Sequence, residues 1–396
     1  MKYIVVIGDG MADFPLNELG NKTPLMIANK PYMNMMAREG ICGKALTVPD
    51  GLPPGSDVAC MSIFGYNPAN YYTGRAPIEA SAIGVEMGDE DVAFRCNLVY
   101  LKDIHDNAIM EDYSGGHITT DEAITIIEDL QKGAEGSEFT FFQGISYRHI
   151  LLWKNGFSEM ETTPPHDITG KNIASYIPKG KGADKVVSLM KKSWNILEKH
   201  PVNVKRENEG KVPVNSIWLW GQGKKSRFPL FLDKYGLRGA TVAAVDLIKG
   251  ISGLIGFDTP HVEGATGYYD TDYSAKAAKA IELIRDYDIV YVHIEAPDEA
   301  SHNGNITEKI KAIECIDKEV LGRIYENVDE NVKILVVTDH ATPIVMKTHY
   351  ACPVPFVIFE KGNKVNGCET GYDERSGDFV LDGETLIKLF TKGKQT

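Results

Sequence analysis

The sequence predicts an α/β fold: a parallel sheet with helices on both faces, interrupted by a smaller inserted α+β domain. Three observations predict it. In the last third, short, mainly apolar β-runs alternate with helical segments, the pattern of strands buried on both faces of a parallel sheet. The start of the chain has the same rhythm. The middle does not; its runs are short and alternate apolar with polar residues, as half-exposed strands do. The expected organisation is 1–88 with 216–396 as the α/β domain and 89–215 as the insertion.

The elements follow in order. Residues 3–7 form a continuous apolar β-run that ends in the turn Gly8-Asp9-Gly10. Pro31 opens a helix to Arg38, and Gly40 stops it. Ser56-Asp57 reads as an N-cap pair before the apolar run 58–64, with Gly65 after it. In the insertion, 92–101 and 149–154 read as strands, 120–130 and 183–200 as helices, and the polar, Pro-flanked stretch 198–214 as a loop. Then come an amphipathic helix at 274–287, a buried strand at 289–294 and a long helix at 306–327. Strands at 332–338 and 354–359 and a closing helix at 384–390 complete the chain.

Composition narrows the function classes. The 396 residues carry 42 Lys+Arg against 55 Asp+Glu, a formal charge of −13. No basic stretch offsets it, so no nucleic-acid partner is expected. Bound cations would partly neutralise such a chain. No apolar run is long enough to cross a bilayer, so no membrane partner is expected. The chain enters a strand at once, with no signal peptide, and its six cysteines show no CxxC and no framework spacing. The expectation is reduced thiols and a cytoplasmic location.

The acidic and imidazole groups fall in a telling place. Asp9 follows the first strand; Asp298 and His302 lie in the loop beyond 289–294. Asp339 and His340 follow 332–338, and His349 comes nine residues after His340. In open α/β sheets, ligands bind outside the carboxyl ends of the strands. Imidazoles and carboxylates converging there suit two divalent cations. Each piece alone has a plainer reading. Asp-x-x-x-His is also a surface pair or an N-cap, Asp339-His340 a helix cap with a core histidine, and Asp9 a turn residue. Ser56, after Pro53-Pro54-Gly55, adds a hydroxyl at a helix start, where free N–H groups favour phosphate. A cation beside it would turn it into a nucleophile; without one it is a plain N-cap.

The motifs then take on a family likeness. Ile7-Gly8-Asp9-Gly10-Met11-Ala12-Asp13 and Pro54-Gly55-Ser56-Asp57 resemble the opening of the short, archaeal-type cofactor-independent phosphoglycerate mutases, of the alkaline phosphatase superfamily. Tyr71-Tyr72-Thr73-Gly74-Arg75-Ala76-Pro77, Phe94-Arg95-Cys96-Asn97, Gly264-Ala265-Thr266-Gly267, Asp298-Glu299-Ala300-Ser301-His302 and Thr338-Asp339-His340 belong to the same pattern. The resemblance spans essentially the whole chain. It implies an alkaline-phosphatase-like core that carries Ser56, with an inserted domain closing over a small phosphorylated substrate. It further implies that Asp9, Ser56, Asp339 and His340 hold one cation and Asp298, His302 and His349 the other. Mn2+ is the foremost choice, with Mg2+, Zn2+ or Co2+ as alternatives. Lys249 matches the lysine placed on the transferring phosphoryl group. His117 resembles an inserted-domain histidine of the longer mutases, with a loop histidine as the plainer reading. Arg148 and Lys225 are candidates for the substrate carboxylate or phosphate, with surface charge as the alternative.

Three features look more like a bacterial branch proposed to act as homoserine kinases: Glu295-Ala296-Pro297, Ile145-Ser146-Tyr147-Arg148-His149 and Trp218-Leu219-Trp220-Gly221-Gln222-Gly223. The expected activity is interconversion of 2- and 3-phosphoglycerate through a phosphoserine. A homoserine kinase-like phosphotransferase, or a phosphomonoesterase, is the alternative on the same metals.

Overall fold

The computed structural model describes residues 1–392; residues 393–396, the end of the segment read as 216–396, lie outside it. The chain divides into two compact units. One is Met1–Tyr72 with the chain from Phe228 onward; the other is Thr73–Arg227. Among the described residues, no helix is long and apolar enough to cross a membrane. All six cysteines are unpaired.

The first unit is built on a seven-stranded sheet. Its order is Gly239–Val242, Ile289–Ile294, Lys2–Gly8, Val332–Thr338, Val354–Glu360, Ile41–Leu46 and Val380–Asp382. The first four strands are mutually parallel. Their side chains are buried on both faces, which is why these segments read as mainly apolar runs rather than as alternating ones. Lys2–Gly8 lies between Ile289–Ile294 and Val332–Thr338, and Gly8 stands opposite both Ile294 and Thr338. Three neighbouring strands, about 4.8 Å apart, therefore end at one level.

Val354–Glu360 departs from the all-parallel expectation. It runs antiparallel to both its neighbours. The reason is the connection before it. No helix stands between Thr338 and Val354, so the chain turns back at the sheet edge it has just reached. A parallel return needs a crossover of a dozen or more residues, usually helical. This segment instead spends its length over the site.

In the second unit, Val92–Lys102 pairs antiparallel with Arg148–Trp153, Ser216–Lys224 and Ile109–Asp112. Helices Thr120–Gly133 and Ala183–Leu197 pack against this sheet and each other. The first of these starts with a capping box between Thr119 and Glu122. All four tryptophans, Trp153, Trp194, Trp218 and Trp220, belong to this unit.

The unit's limits lie outside the 89–215 read from the sequence. Ser216–Lys224 is hydrogen-bonded along Val92–Lys102, and the Arg75–Ala82 helix packs on both strands, so each goes with the insertion. The stretch read as a loop at 198–214 holds a helix, Pro201–Asn208. Its Pro at the first turn and the His200 ring accepting from the Val202 amide start it, despite its polarity.

Candidate functional site

The Gly8-Asp9-Gly10 turn is both a bend and a scaffold. Gly10 has φ 62°, and a Cβ there would lie 2.7 Å from Asp298 Oδ1 and 2.8 Å from Asp298 Cα. Its amide donates to Asp339 Oδ1 at 3.0 Å, and the His340 amide donates to the same oxygen at 2.8 Å. Asp339 Oδ2 is left facing His340 Nε2 at 3.3 Å. Below the loops, the buried pair Lys309–Asp13 at 2.8 Å ties the two strand ends together. Lys309 also donates to Thr342 O, and the Ile344 amide donates to Asp13. Sequence reading had no signal for Lys309, which sits among ordinary surface-type helix residues.

Ser56 is the first residue of the Ser56–Ile63 helix; the cap position is Gly55, and no side chain caps the helix. The serine hydroxyl is free for other work. Its Oγ lies 3.3 Å from Asp9 Oδ2 and 3.3 Å from His340 Nε2. The residue is half-buried, so it is within reach of a ligand.

The three histidines have their Nδ1 atoms engaged by oxygen. His302 Nδ1 meets Lys347 O at 2.9 Å, His349 Nδ1 meets Pro54 O at 3.3 Å, and His340 Nδ1 meets Thr342 Oγ1 at 3.1 Å. Thr342 in turn donates to Asp298 Oδ1. A carbonyl accepts only from N–H, so Nδ1 carries the hydrogen, and Nε2 is turned inward with its lone pair, as a metal ligand requires. His302 Nε2 lies 3.1 Å from Asp298 Oδ2 and 3.0 Å from His349 Nε2; His349 Nε2 lies 3.6 Å from Asp298 Oδ1.

The charges are unbalanced without a cation. Burial, and then the negative charges of Asp339 and Asp298, push the Asp9 carboxyl well above its ordinary value. Burial would lower His302, but Asp298 outweighs it and holds the ion-free imidazole up at about 9, so a cation bound here takes the place of the Nε2 proton and frees that lone pair. Asp9 Oδ1 is buried with no hydrogen-bond partner among the described residues. Repelling carboxylates, inward lone pairs and an orphaned oxygen are the donor set that divalent cations satisfy. Asp9, Asp339 and His340 form one such group, and Asp298, His340 and His349 another, each with ligand atoms within 4.8 Å of one another.

The structure thus brings together Asp9, Ser56, Asp298, His302, Asp339, His340 and His349 in one unit. Lys249 lies on the Asp246–Leu254 helix, which packs against the Ser56–Ile63 helix; its ammonium is 3.9 Å from Asp246.

The remaining candidates lie in the second unit. His117, with φ 49°, and Arg148 both approach the Tyr147 ring, at 6.3 Å and 5.7 Å. Arg148 is exposed beside a buried group that sequence reading missed. Glu79 takes Arg75 Nε at 2.8 Å and Arg95 Nε at 2.7 Å, and Arg95 stacks on Trp220 at 4.4 Å. Burial would raise Glu79, but the Arg95 and Arg75 charges, with Arg148 behind them, hold it below its ordinary value. The available signal was an arginine inside the apolar strand at Arg95. Lys225 follows the far end of its strand. Lys224 stands opposite Val92, whereas Arg148 stands opposite Asn97, a separation of five strand positions, or about 17 Å.

Comparison with known proteins adds a family. The sequence model of one described as 2,3-bisphosphoglycerate-independent phosphoglycerate mutase matches residues 37–203. A Methanosarcina barkeri protein named 2,3-bisphosphoglycerate-independent phosphoglycerate mutase is 50% identical over 100% of both chains. A Geobacter sulfurreducens protein, named as a probable enzyme of that kind, is 49% identical over 98% of this chain and 99% of its own. Among solved structures, a Pyrococcus horikoshii protein superposes with a TM-score of 0.83 at 31% identity, covering 99% of this chain and 96% of that one. The cofactor-independent phosphoglycerate mutase of Thermoplasma acidophilum does so with 0.63 at 23% identity, covering 99% of each, a likeness of fold.

Proposed function

We propose, because the chain belongs to the 2,3-bisphosphoglycerate-independent phosphoglycerate mutase family, that it interconverts 2- and 3-phosphoglycerate by way of a phosphorylated Ser56. One observation supports the route above the rest. Ser56 caps nothing, and its Oγ lies 3.3 Å from a carboxylate oxygen and 3.3 Å from an imidazole nitrogen of the ligand cluster.

Bound divalent cations would lower the pKa of the Ser56 hydroxyl and offset the charge on the attacking and leaving oxygens. Asp9, Ser56, Asp339 and His340 would hold one, and Asp298, His302 and His349 the other. Mn2+ is the proposed ion; the same nitrogen and oxygen ligands also admit Mg2+, Zn2+ or Co2+. Asp9 Oδ2 orients the serine hydroxyl. The first amides of the Ser56–Ile63 helix favour the phosphoryl oxygens that arrive there. Lys249 is proposed to neutralise that group. Glycerate, freed of its phosphoryl, must be held while it turns over, and His117, Arg148 and Lys225 are proposed to grip its carboxylate or the phosphate. Water must be kept out meanwhile, or the phosphoserine hydrolyses. The cytoplasm is the proposed compartment.

The test is conversion of 3-phosphoglycerate by Mn2+-loaded protein, beside ATP-dependent phosphorylation of homoserine and phosphate release from a simple ester. Mutase turnover far above both others is expected. Turnover only with homoserine and ATP, or only of the ester, would replace this reading by a kinase-like or a hydrolytic one.

A further inference from the structure

A second buried line of charge runs up to the ligand cluster from behind. His293 lies inside the Ile289–Ile294 strand, opposite Ile7, and is fully buried. Its two ring nitrogens face two different carboxylates: Nε2 is 3.4 Å from Asp9 Oδ2, and Nδ1 is 3.1 Å from Glu295 Oε1. Glu295 Oε2 takes the ammonium of Lys276 at 2.9 Å, and the same ammonium donates to the His293 carbonyl at 3.0 Å. Lys276 comes from the Tyr273–Leu283 helix, a place where lysine normally reaches water; here it is wholly buried.

Burying four ionisable groups in a row costs several kcal/mol per ion unless geometry and pairing repay it. The fold alone has no use for the row, since apolar residues would fill the space at least as well. What it does reach is one oxygen of Asp9. Oδ2 is shared by His293 and Ser56, while Oδ1 of the same carboxylate has no hydrogen-bond partner among the described residues and only His340 Nε2 near it, at 3.6 Å. The contacts to the ring are close but off-axis; neither ring nitrogen has an aligned hydrogen bond.

We propose that His293, braced by Glu295 and Lys276, is the positioning residue for Asp9: it pins Oδ2 and so presents Oδ1 to the cation beside Ser56. This rests on reading Asp9 as a metal ligand. Partners behind ligating groups commonly set metal affinity, and their loss costs about 10–100-fold. Cys60 lies on the same side, its Sγ 3.9 Å from Asp339 Oδ2, with burial pushing its thiol up to about 12. It stands as a neutral neighbour of the ring.

The experiment is Mn2+ titration of the whole chain followed by electron paramagnetic resonance, with circular dichroism to establish folding. His293→Gln places an amide nitrogen near the Nε2 position and can still reach Asp9. His293→Asn places one near the Nδ1 position, towards Glu295, and cannot. Glu295→Gln keeps the ring and loosens its brace. The wild-type chain should bind two Mn2+. His293→Asn should weaken one of them by about 10–100-fold and leave the other unchanged. His293→Gln should recover most of that loss, and Glu295→Gln should weaken the same ion. The proposal falls if folded His293→Asn binds both ions as tightly as wild type, or if Gln and Asn are equally impaired. It falls too if a third metal equivalent disappears with His293, which would make the ring a ligand. Should His293→Asn not fold, wild-type affinity in Glu295→Gln overturns it. A wild-type chain that binds no divalent cation would overturn the reading of Asp9 as a ligand, and the proposal with it.

Discussion

At the scale of single residues, the clearest consequence belongs to Ser56. Its side chain caps no amide but donates a 3.3 Å hydrogen bond to Asp9 Oδ2, so Ser56→Ala should cost about 1 kcal/mol of stability, the net worth of one such bond. Turnover should vanish, because the covalent route needs that oxygen. Metal content and thermal unfolding should stay near wild type; an alanine variant with appreciable mutase activity would sink the phosphoserine route. His149 makes a different prediction. Burial holds its imidazole down at about 4, against an ordinary 6.5, while Nδ1 accepts the Gly144 amide. Above pH 6.5 both folded and unfolded chains hold it neutral, and its contribution is fully present. Between pH 6.5 and 4 only the unfolded chain takes up the proton, so stability falls, by about 3 kcal/mol in all. His149→Asn keeps an acceptor for Gly144 and removes the titration. Its urea midpoint should therefore change less between pH 7 and pH 4.5 than the wild-type midpoint; equal slopes would contradict the assignment. The candidate ligands stood out in the sequence because Asp9, Asp298 and Asp339 each fall at or just beyond the end of an apolar run. His293 was not, because it lies inside such a run and reads as one more strand residue.

At the scale of elements, the turn of Ala296–His302 sets the two proposed ligands Asp298 and His302 on one helix face, four residues apart. Asp298→Ala or His302→Ala should therefore lower bound metal from two equivalents per chain towards one, with Asp9, Asp339 and His340 keeping the other. Elemental analysis that finds two full equivalents in both variants would break this grouping. Strand existence was readable from apolar runs, but strand direction was not, since Val354–Glu360 is apolar whichever way it points. Its direction follows from a connection that stays on one edge to deliver His349. Caps were readable only when local. Thr119 and Glu122 announce their helix within four residues. The helix at Pro31–Glu39 has no local side-chain cap, and its Tyr32 and Met33 amides are taken by Asp317, some 285 residues along the chain. No window of sequence contains both partners.

At the scale of the whole molecule, the insertion was visible as a change of rhythm, yet its edges were not. Helix Arg75–Ala82 and strand Ser216–Lys224 carry no compositional mark of the unit they join; strand pairing assigns them. Three of the proposed substrate-binding residues, His117, Arg148 and Lys225, belong to that unit. Arg148→Ala should reduce mutase turnover by about 10–100-fold, the equivalent of a charged hydrogen bond worth 1.5–3 kcal/mol. It should also raise the leak of free phosphate and leave metal content alone, because arginine is no ligand. Kinetics indistinguishable from wild type would return Arg148 to ordinary surface charge. The division of the chain has one more consequence, and it is optical. Every indole chromophore belongs to Thr73–Arg227, and every proposed metal ligand belongs to the other unit. Intrinsic emission excited at the indole band is thus a private channel for one half of the protein. The other half is silent there and can be followed in its own colour, by the visible absorption of Co2+ put in place of the native ion. A single unlabelled sample can report separately, and at the same moment, on the half that holds the tryptophans and the half that carries the serine.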